Sequence, residues 1–262
     1  MVGFLYNSIL GRVILKIIYN RKFSKLMGHF FDSRLSKPLI KRFVKRNKID
    51  LTMYCPKKYE SFNDCFTRKI KPEFRPIEDG FISPCDGLIS AYNITDSTVL
   101  PIKQSSFTVD SLLQNKELAE KYYGGICLVF RLCVENYHRY HYIDSGTKEE
   151  NIHIKGKLHT VRPPALEKHP VFCENSREYT VLHTEHFGDV TQIEVGALLV
   201  GKIANHHEKY AFKKGEEKGM FLYGGSTVVL LIEKNKAIIN KKYFDATKNG
   251  IEFSVLMGQS LE

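Results

Sequence analysis

Ser226 follows two glycines in Gly224-Gly225-Ser226-Thr227, with apolar runs on either side at Met220 to Leu222 and Val228 to Ile232. A glycine pair between apolar runs marks a tight bend. A serine hydroxyl held beside a glycine carbonyl in such a bend can attack that carbonyl. The stretch is either an ordinary β-turn or a place where the chain edits its own backbone. The Gly-x-Ser-x-Gly elbow of hydrolases is absent. A second group, Tyr137-His138-Arg139-Tyr140-His141, follows a strongly apolar run. In an extended chain positions 138 and 141 point to roughly opposite faces, whereas in a turn they meet. Such a cluster can offer one imidazole as a base and another as a donor. Asp86, in Ser83-Pro84-Cys85-Asp86-Gly87, is either an Asx-type turn residue or the carboxylate that orients a histidine. Asp86, His141 and Ser226 are compatible with the trio that activates a nucleophile. Paired histidines also suit a metal, but no third ligand stands at a telling spacing. His206-His207, between Asn205 and Glu208, reads as a solvated loop, and no metal site is expected.

The elements that must position these groups change character along the chain. Residues 3–20 are rich in Phe, Leu, Ile and Val. Leu5, Ile9, Val13 and Ile17 share one side, and Ser8, Arg12, Lys16 and Asn20 share another. Arg12 and Lys16 interrupt the run, so it is too short to span a bilayer. It reads instead as an amphipathic helix that lies at a membrane interface with its cations near anionic headgroups. Residues 22–46 stay basic, and Asp32 or Ser33 is a candidate cap for a second helix, limited by Pro38. A short helix is expected over 58–68 and another over 113–122. Strands are expected over 88–92, 125–134, 151–161, 179–183, 190–203 and 221–233, with an edge strand at 251–256. Helices first and many strands after predict an α+β fold with N-terminal helices and a mostly antiparallel or mixed β-sheet core. Residues 1–50 form the basic, membrane-associating region in this reading, and 51–262 the catalytic β-rich domain.

The 262 residues are 43% hydrophobic, enough for a sizeable core. The net charge of +10 favours anionic partners. The cations are dispersed and no recognition motif is present, which argues against nucleic acid. The six cysteines form no CxxC pair and no secretory signal precedes them, so reduced thiols are expected.

Three separated blocks, Gly80 to Gly87, Tyr137 to His141 and Gly219 to Val228, resemble the phosphatidylserine decarboxylase family in order and separation. Phe172 to Arg177, with Glu185, Gly188 and Val195 to Ala197, and Lys214 to Glu217 support the likeness, which covers roughly residues 50–257. Two positions depart from the family pattern. Gly224 stands where many members have Leu or Val, and Ser176 occupies the middle of a common Asn-Glu-Arg.

The resemblance implies a precursor that cuts itself between Gly225 and Ser226. The Ser226 hydroxyl attacks the Gly225 carbonyl, an ester forms, and elimination and hydrolysis leave a covalent pyruvoyl cofactor with loss of ammonia. His141, oriented by Asp86, resembles the family's base for this step, and His138 the histidine beside the pyruvoyl. The implied reaction is decarboxylation of phosphatidylserine to phosphatidylethanolamine and CO2 through a Schiff base. The implied partners are an anionic phospholipid membrane, the cleaved small chain 226–262 and a second copy in a homodimer. The implied location is peripheral, on the cytoplasmic face of the cell membrane. Tyr137, Tyr140, Phe221 and Leu222 are expected at the pocket mouth. Three alternatives remain at this level: a decarboxylase of another serine-headgroup lipid, a serine hydrolase using Asp86, His141 and Ser226, and a non-enzymatic membrane-binding protein.

Overall fold

The computed structural model describes residues 21–103, 105–158, 173–196, 202–222, 224 and 226–262. The expected interfacial helix at 3–20 lies outside them. The helical part comprises α1 (Arg21–Asp32), α2 (Pro38–Arg46) and α3 (Phe62–Phe66). Pro38 sits in the first turn of α2, where its fixed φ suits a helix start, and Lys37 precedes it without a side-chain cap. Neither Asp32 nor Ser33 caps α2. The Asp32 carboxylate accepts from Asn63 Nδ2 at 2.6 Å, and Ser33 Oγ donates to the Phe30 carbonyl at 2.7 Å. Within the expected 58–68 helix only 62–66 is α-helical, capped by Ser61, which accepts from Asp64 N–H. Phe62 joins α3 to the preceding helices. Its N–H donates to Ser36 Oγ at 2.8 Å, and its ring lies 5.1 Å from Phe31 and 5.0 Å from Phe43.

The strands begin with β1 (Gly87–Asn93), then the hairpin β2 (Leu100–Ile102) and β3 (Ser105–Phe107). Two short helices follow, α4 (Val109–Leu113) and α5 (Lys116–Glu120), where one over 113–122 was expected. Gln114 adopts a left-handed conformation, φ 51°, that ends α4, and the Asn115 side chain caps α5. Next come β4 (Ile126–Leu132), β5 (Arg139–His141), β6 (Gly146–Lys148), β7 (Ile152–Ile154), β8 (Lys157–Leu158), β9 (Cys173–Glu174), β10 (Arg177–Thr184) and β11 (Gly188–Val195). The chain closes with β12 (Lys202–Asn205), β13 (Tyr210–Phe212), β14 (Glu217–Leu222), β15 (Ser226–Ile232), α6 (Lys241–Lys248) and β16 (Phe253–Val255). The fold is α+β, and every strand pair among the described residues is antiparallel.

The large sheet runs β13-β6-β10-β11-β15-β4-β1-β16, with β7 also on β10. A smaller sheet, β12-β14-β5, carries the histidine strand. Alternation of side chains divides the core in two. Leu128, Phe130, Val228 and Leu230 pack with Tyr140 and Phe221 of the small sheet and with Tyr142 just beyond it. Val129, Val229 and Leu231 face Phe107, Leu112 and Tyr122 on the other side. All seven residues of β15 are buried, as an unbroken Val-Val-Leu-Leu-Ile run requires of a strand covered on both faces.

Candidate active site

Ser226 opens β15, and β14 ends four residues earlier at Leu222. Gly224 has φ +105°, a region that side chains rarely adopt, so a glycine fits the backbone it occupies. Ser226 Oγ donates to the Gly224 carbonyl at 3.2 Å, which folds the hydroxyl back on its own chain. Its strand pairs Ser226 with Leu132 on β4, and β4 pairs Arg131 with Leu88 on β1. One step along that ladder sets Gly87 opposite Leu132. A Cβ on Gly87 would stand 2.9 Å from the Arg131 carbonyl, so glycine permits this close approach. Asp86 is therefore delivered to the same sheet end as Ser226, two strand spacings or about 10 Å away.

Two other crossings bring in the histidines. The His141 N–H donates to the Pro84 carbonyl at 2.8 Å, and the Phe221 N–H of β14 donates to the His138 carbonyl at 2.9 Å. Asp86, His138, His141 and Ser226 are 2%, 1%, 5% and 2% exposed, so all four are groups withheld from water. His138 Nδ1 lies 2.9 Å from the Asn136 carbonyl, which can only accept, so Nδ1 carries the proton. Its Nε2 is buried without a partner among the described residues. Burial pushes the His138 pKa down to about 3, against the Asn136 carbonyl and with the help of Arg68. Burial likewise lowers His141 to about 4, opposed by Glu217, the Pro84 carbonyl and Asp86. Among the described residues His141 Nδ1 is also buried without a partner, and the ring stacks on Tyr137 at 5.8 Å. Both imidazoles are thus neutral at pH 7, and each has a buried nitrogen with no partner among the described residues.

The Asp86 carboxylate is held by Arg75, which donates from Nε at 2.8 Å and from Nη2 at 2.5 Å, and by Met257 N–H at 2.9 Å. Among its described hydrogen bonds none goes to His141, and its influence on that ring is electrostatic. Arg75 gave no local signal in the sequence, because its partner is eleven residues on and it sits in a turn-rich stretch. Glu217 was also missed as a neighbour of His141. It pairs with His141 across β5 and β14, and its Oε1 accepts from Arg139 Nη1 at 2.6 Å. His206 Nε2 shares the same oxygen at 2.7 Å, and His207 stacks on Tyr210 at 3.9 Å.

Tyr140 and Phe221 are not at a pocket mouth. They meet edge to face at 5.0 Å inside the core between the sheets. Tyr137 is buried with Tyr54 and Ile70. Ring area of this size gains more from packing than from facing a wet opening. Surface cavities of about 300 Å³ beside His183 and Asp189, and about 770 Å³ beside Lys213 and Lys214, are lined by none of the four candidate residues. The chemistry-bearing groups lie inside the packed sheet end instead.

The phosphatidylserine decarboxylase family model matches residues 62–261, a span that holds Asp86, both histidines and Ser226. The chain belongs to the phosphatidylserine decarboxylase family. It is 46% identical to phosphatidylserine decarboxylase proenzyme 2 of Clostridium acetobutylicum, over 98% of this chain and 90% of that protein. The phosphatidylserine decarboxylase proenzymes of Clostridium novyi and Clostridium perfringens are 43% and 40% identical, covering 98% and 99% of this chain and 90% and 92% of theirs. The chain is thus a decarboxylase by family, and membership supports a pyruvoyl-dependent mechanism in general terms.

Proposed function

We propose that this chain is a proenzyme that cuts itself between Gly225 and Ser226 and then decarboxylates phosphatidylserine to phosphatidylethanolamine and CO2. The observation that carries this reading is the family match over residues 62–261. The residues present fit a pyruvoyl group made from Ser226: a buried serine follows a bend at Gly224, and two buried imidazole nitrogens have no partner among the described residues. That group, once formed, supplies a ketone for the substrate amine and an electron sink for the departing carboxylate.

The chain's own side chains divide the proton work. His141, neutral with a bare ring nitrogen, takes the Ser226 hydroxyl proton as the oxygen attacks the Gly225 carbonyl. Glu217 and Asp86 stabilise the imidazolium that results, and Arg75 keeps the Asp86 carboxylate in place. His138 manages the substrate's proton in the second reaction. Chains 1–225 and 226–262 stay together after the cut, because β15 is hydrogen-bonded to β4 on one side and β11 on the other.

Residues 1–50 serve as the membrane-associating part and 51–262 as the catalytic part, working as a homodimer on the cytoplasmic face of the cell membrane. No helix among the described residues is long and apolar enough to cross a membrane. The basic α2 buries none of its residues, and Leu26, Leu35 and Leu39 are exposed beside Lys41, Arg42, Lys45 and Arg46. Apolar side chains among cations suit an anionic interface. The test is CO2 release from phosphatidylserine vesicles by the purified protein, with phosphatidylethanolamine as product. Absence of turnover there, with turnover of a serine headgroup on another lipid backbone, would replace the substrate.

A further inference from the structure

Arg68 is 1% exposed, and among the described residues no carboxylate forms an ion pair with it. Its Nη2 donates to the Glu135 carbonyl at 2.6 Å and the Asn136 carbonyl at 3.0 Å, Nη1 makes long contacts of 3.5 Å to the Cys65 and Phe66 carbonyls, and Nε is buried without a partner among the described residues. The guanidinium lies 4.6 Å from the centre of the Tyr54 ring. A buried, unpaired cation is costly, and structures keep one where it acts on something. The Asn136 carbonyl that receives Arg68 also receives His138 Nδ1. From the end of α3, Phe66 lies against the imidazole at 4.0 Å between ring centres.

We propose that Arg68 is a positioning residue for His138: by sharing the Asn136 carbonyl it fixes the ring as the Nδ1–H tautomer with a bare Nε2. This rests on the reading of His138 given under the proposed function. The fixed charge of Arg68 also disfavours a second proton on the ring, adding to the burial that depresses the His138 pKa. The ring meets Phe66 from α3 and the Asn136 carbonyl from its own loop, and the Arg68 guanidinium, bonded to that same carbonyl, is the charged group acting on it among the described residues. A substrate amine arrives as an ammonium ion, and it must lose a proton before it can attack a carbonyl. Nε2 accepts that proton and becomes an imidazolium. Beside Arg68 that imidazolium is a stronger acid than an ordinary one, and it returns the same proton to the carbon that loses CO2. With the ammonium proton spent on that carbon, the product amine takes one proton from solvent to leave as an ammonium ion, which is the one proton the overall decarboxylation consumes.

The test compares wild type, Arg68→Gln, Arg68→Lys and His138→Ala as self-cleaved enzymes on phosphatidylserine vesicles, with kcat and KM followed against pH. Arg68→Gln is expected to cleave itself, to lose about tenfold or more in kcat with little change in KM, and to move its acid-side midpoint up by about one pH unit. Arg68→Lys keeps the charge but not the fork, so it holds the wild-type midpoint while losing part of kcat. An Arg68→Gln profile that superimposes on wild type overturns the proposal. Full decarboxylation by His138→Ala would instead remove His138 from the mechanism, and the two failures are therefore distinct. Should Arg68→Gln fail to fold, nitrogen-15 histidine spectra of the wild-type enzyme decide the matter, with His138→Ala identifying the signal. A protonated Nδ1 and bare Nε2 down to pH 5 are expected, and the opposite tautomer or titration near pH 6.5 would refute it.

Discussion

Lys218 and Glu194 form an ion pair whose side chains are fully buried, linking β14, which leads to the cleavage bend, to β11, which flanks β15. Lys218 Nζ donates to Glu194 Oε1 and Asn205 Oδ1, both at 2.8 Å. Changing Lys218→Met removes both bonds and the one cation ion-paired with the carboxylate among the described residues. Glu194 keeps Gln192 Nε2 at 3.1 Å and a longer contact from Asn205 at 3.4 Å. Breaking a buried pair in this way costs about 3–5 kcal/mol. At roughly 2–4 °C per kcal/mol for a chain of this size, Tm should fall by about 6–20 °C. The loss depends on pH with a fixed sign. Burial raises the Glu194 pKa above its ordinary 4.5 and Lys218 pulls it back, so removing Lys218 raises it further. The native state then holds a proton that the unfolded state has released. The deficit is therefore full above the new folded pKa and shrinks as pH falls toward 4.5. Urea unfolding of Lys218→Met and wild type at pH 5 and pH 8 measures it, and Lys218→Met/Glu194→Gln should recover at least half. Equal losses at both pH values, with no recovery in the double variant, would refute the reasoning.

Three further outcomes are expected. His141→Ala and Asp86→Ala should slow self-cleavage by about a hundredfold or more, read by gel, whereas His138→Ala should cleave more readily than His141→Ala but decarboxylate poorly. The buried neutral histidines, with pKa values of about 3 and 4, bind protons less readily than in the unfolded chain. Stability should therefore be full above pH 6.5 and fall as the pH drops through 6.5 toward 4, and His138→Gln should flatten that slope in urea titrations. Deleting residues 1–20 should weaken flotation with anionic liposomes, and unchanged flotation would move the interfacial surface elsewhere.

Strands were legible where the pattern is strong. The apolar runs at 125–134 and 221–233 hold β4 and β15, because central strands covered on both faces need continuous apolar sequence. The three-residue strands β5, β6 and β13 carry too few side chains to show a period, and α6 begins after Asn240 without a long apolar stripe. Within the site, Ser226, the histidines and Asp86 stood out by residue type. Arg68 and Arg75 did not, since each acts through partners that only the fold brings near: the Asn136 carbonyl for one and the Asp86 carboxylate for the other. The pocket-mouth expectation for Tyr140 and Phe221 failed because proximity in sequence to catalytic residues says nothing about which sheet face a side chain takes.

Intact mass spectrometry of the purified protein and its Ser226→Ala variant tests the central claim most directly. The wild type should resolve into chains 1–225 and 226–262, the smaller with a blocked N-terminus that gains mass on borohydride reduction with substrate, and Ser226→Ala should remain one inactive 30.2 kDa chain. An uncut wild-type chain with full decarboxylase activity, or a Ser226→Ala variant that still matures, would contradict it.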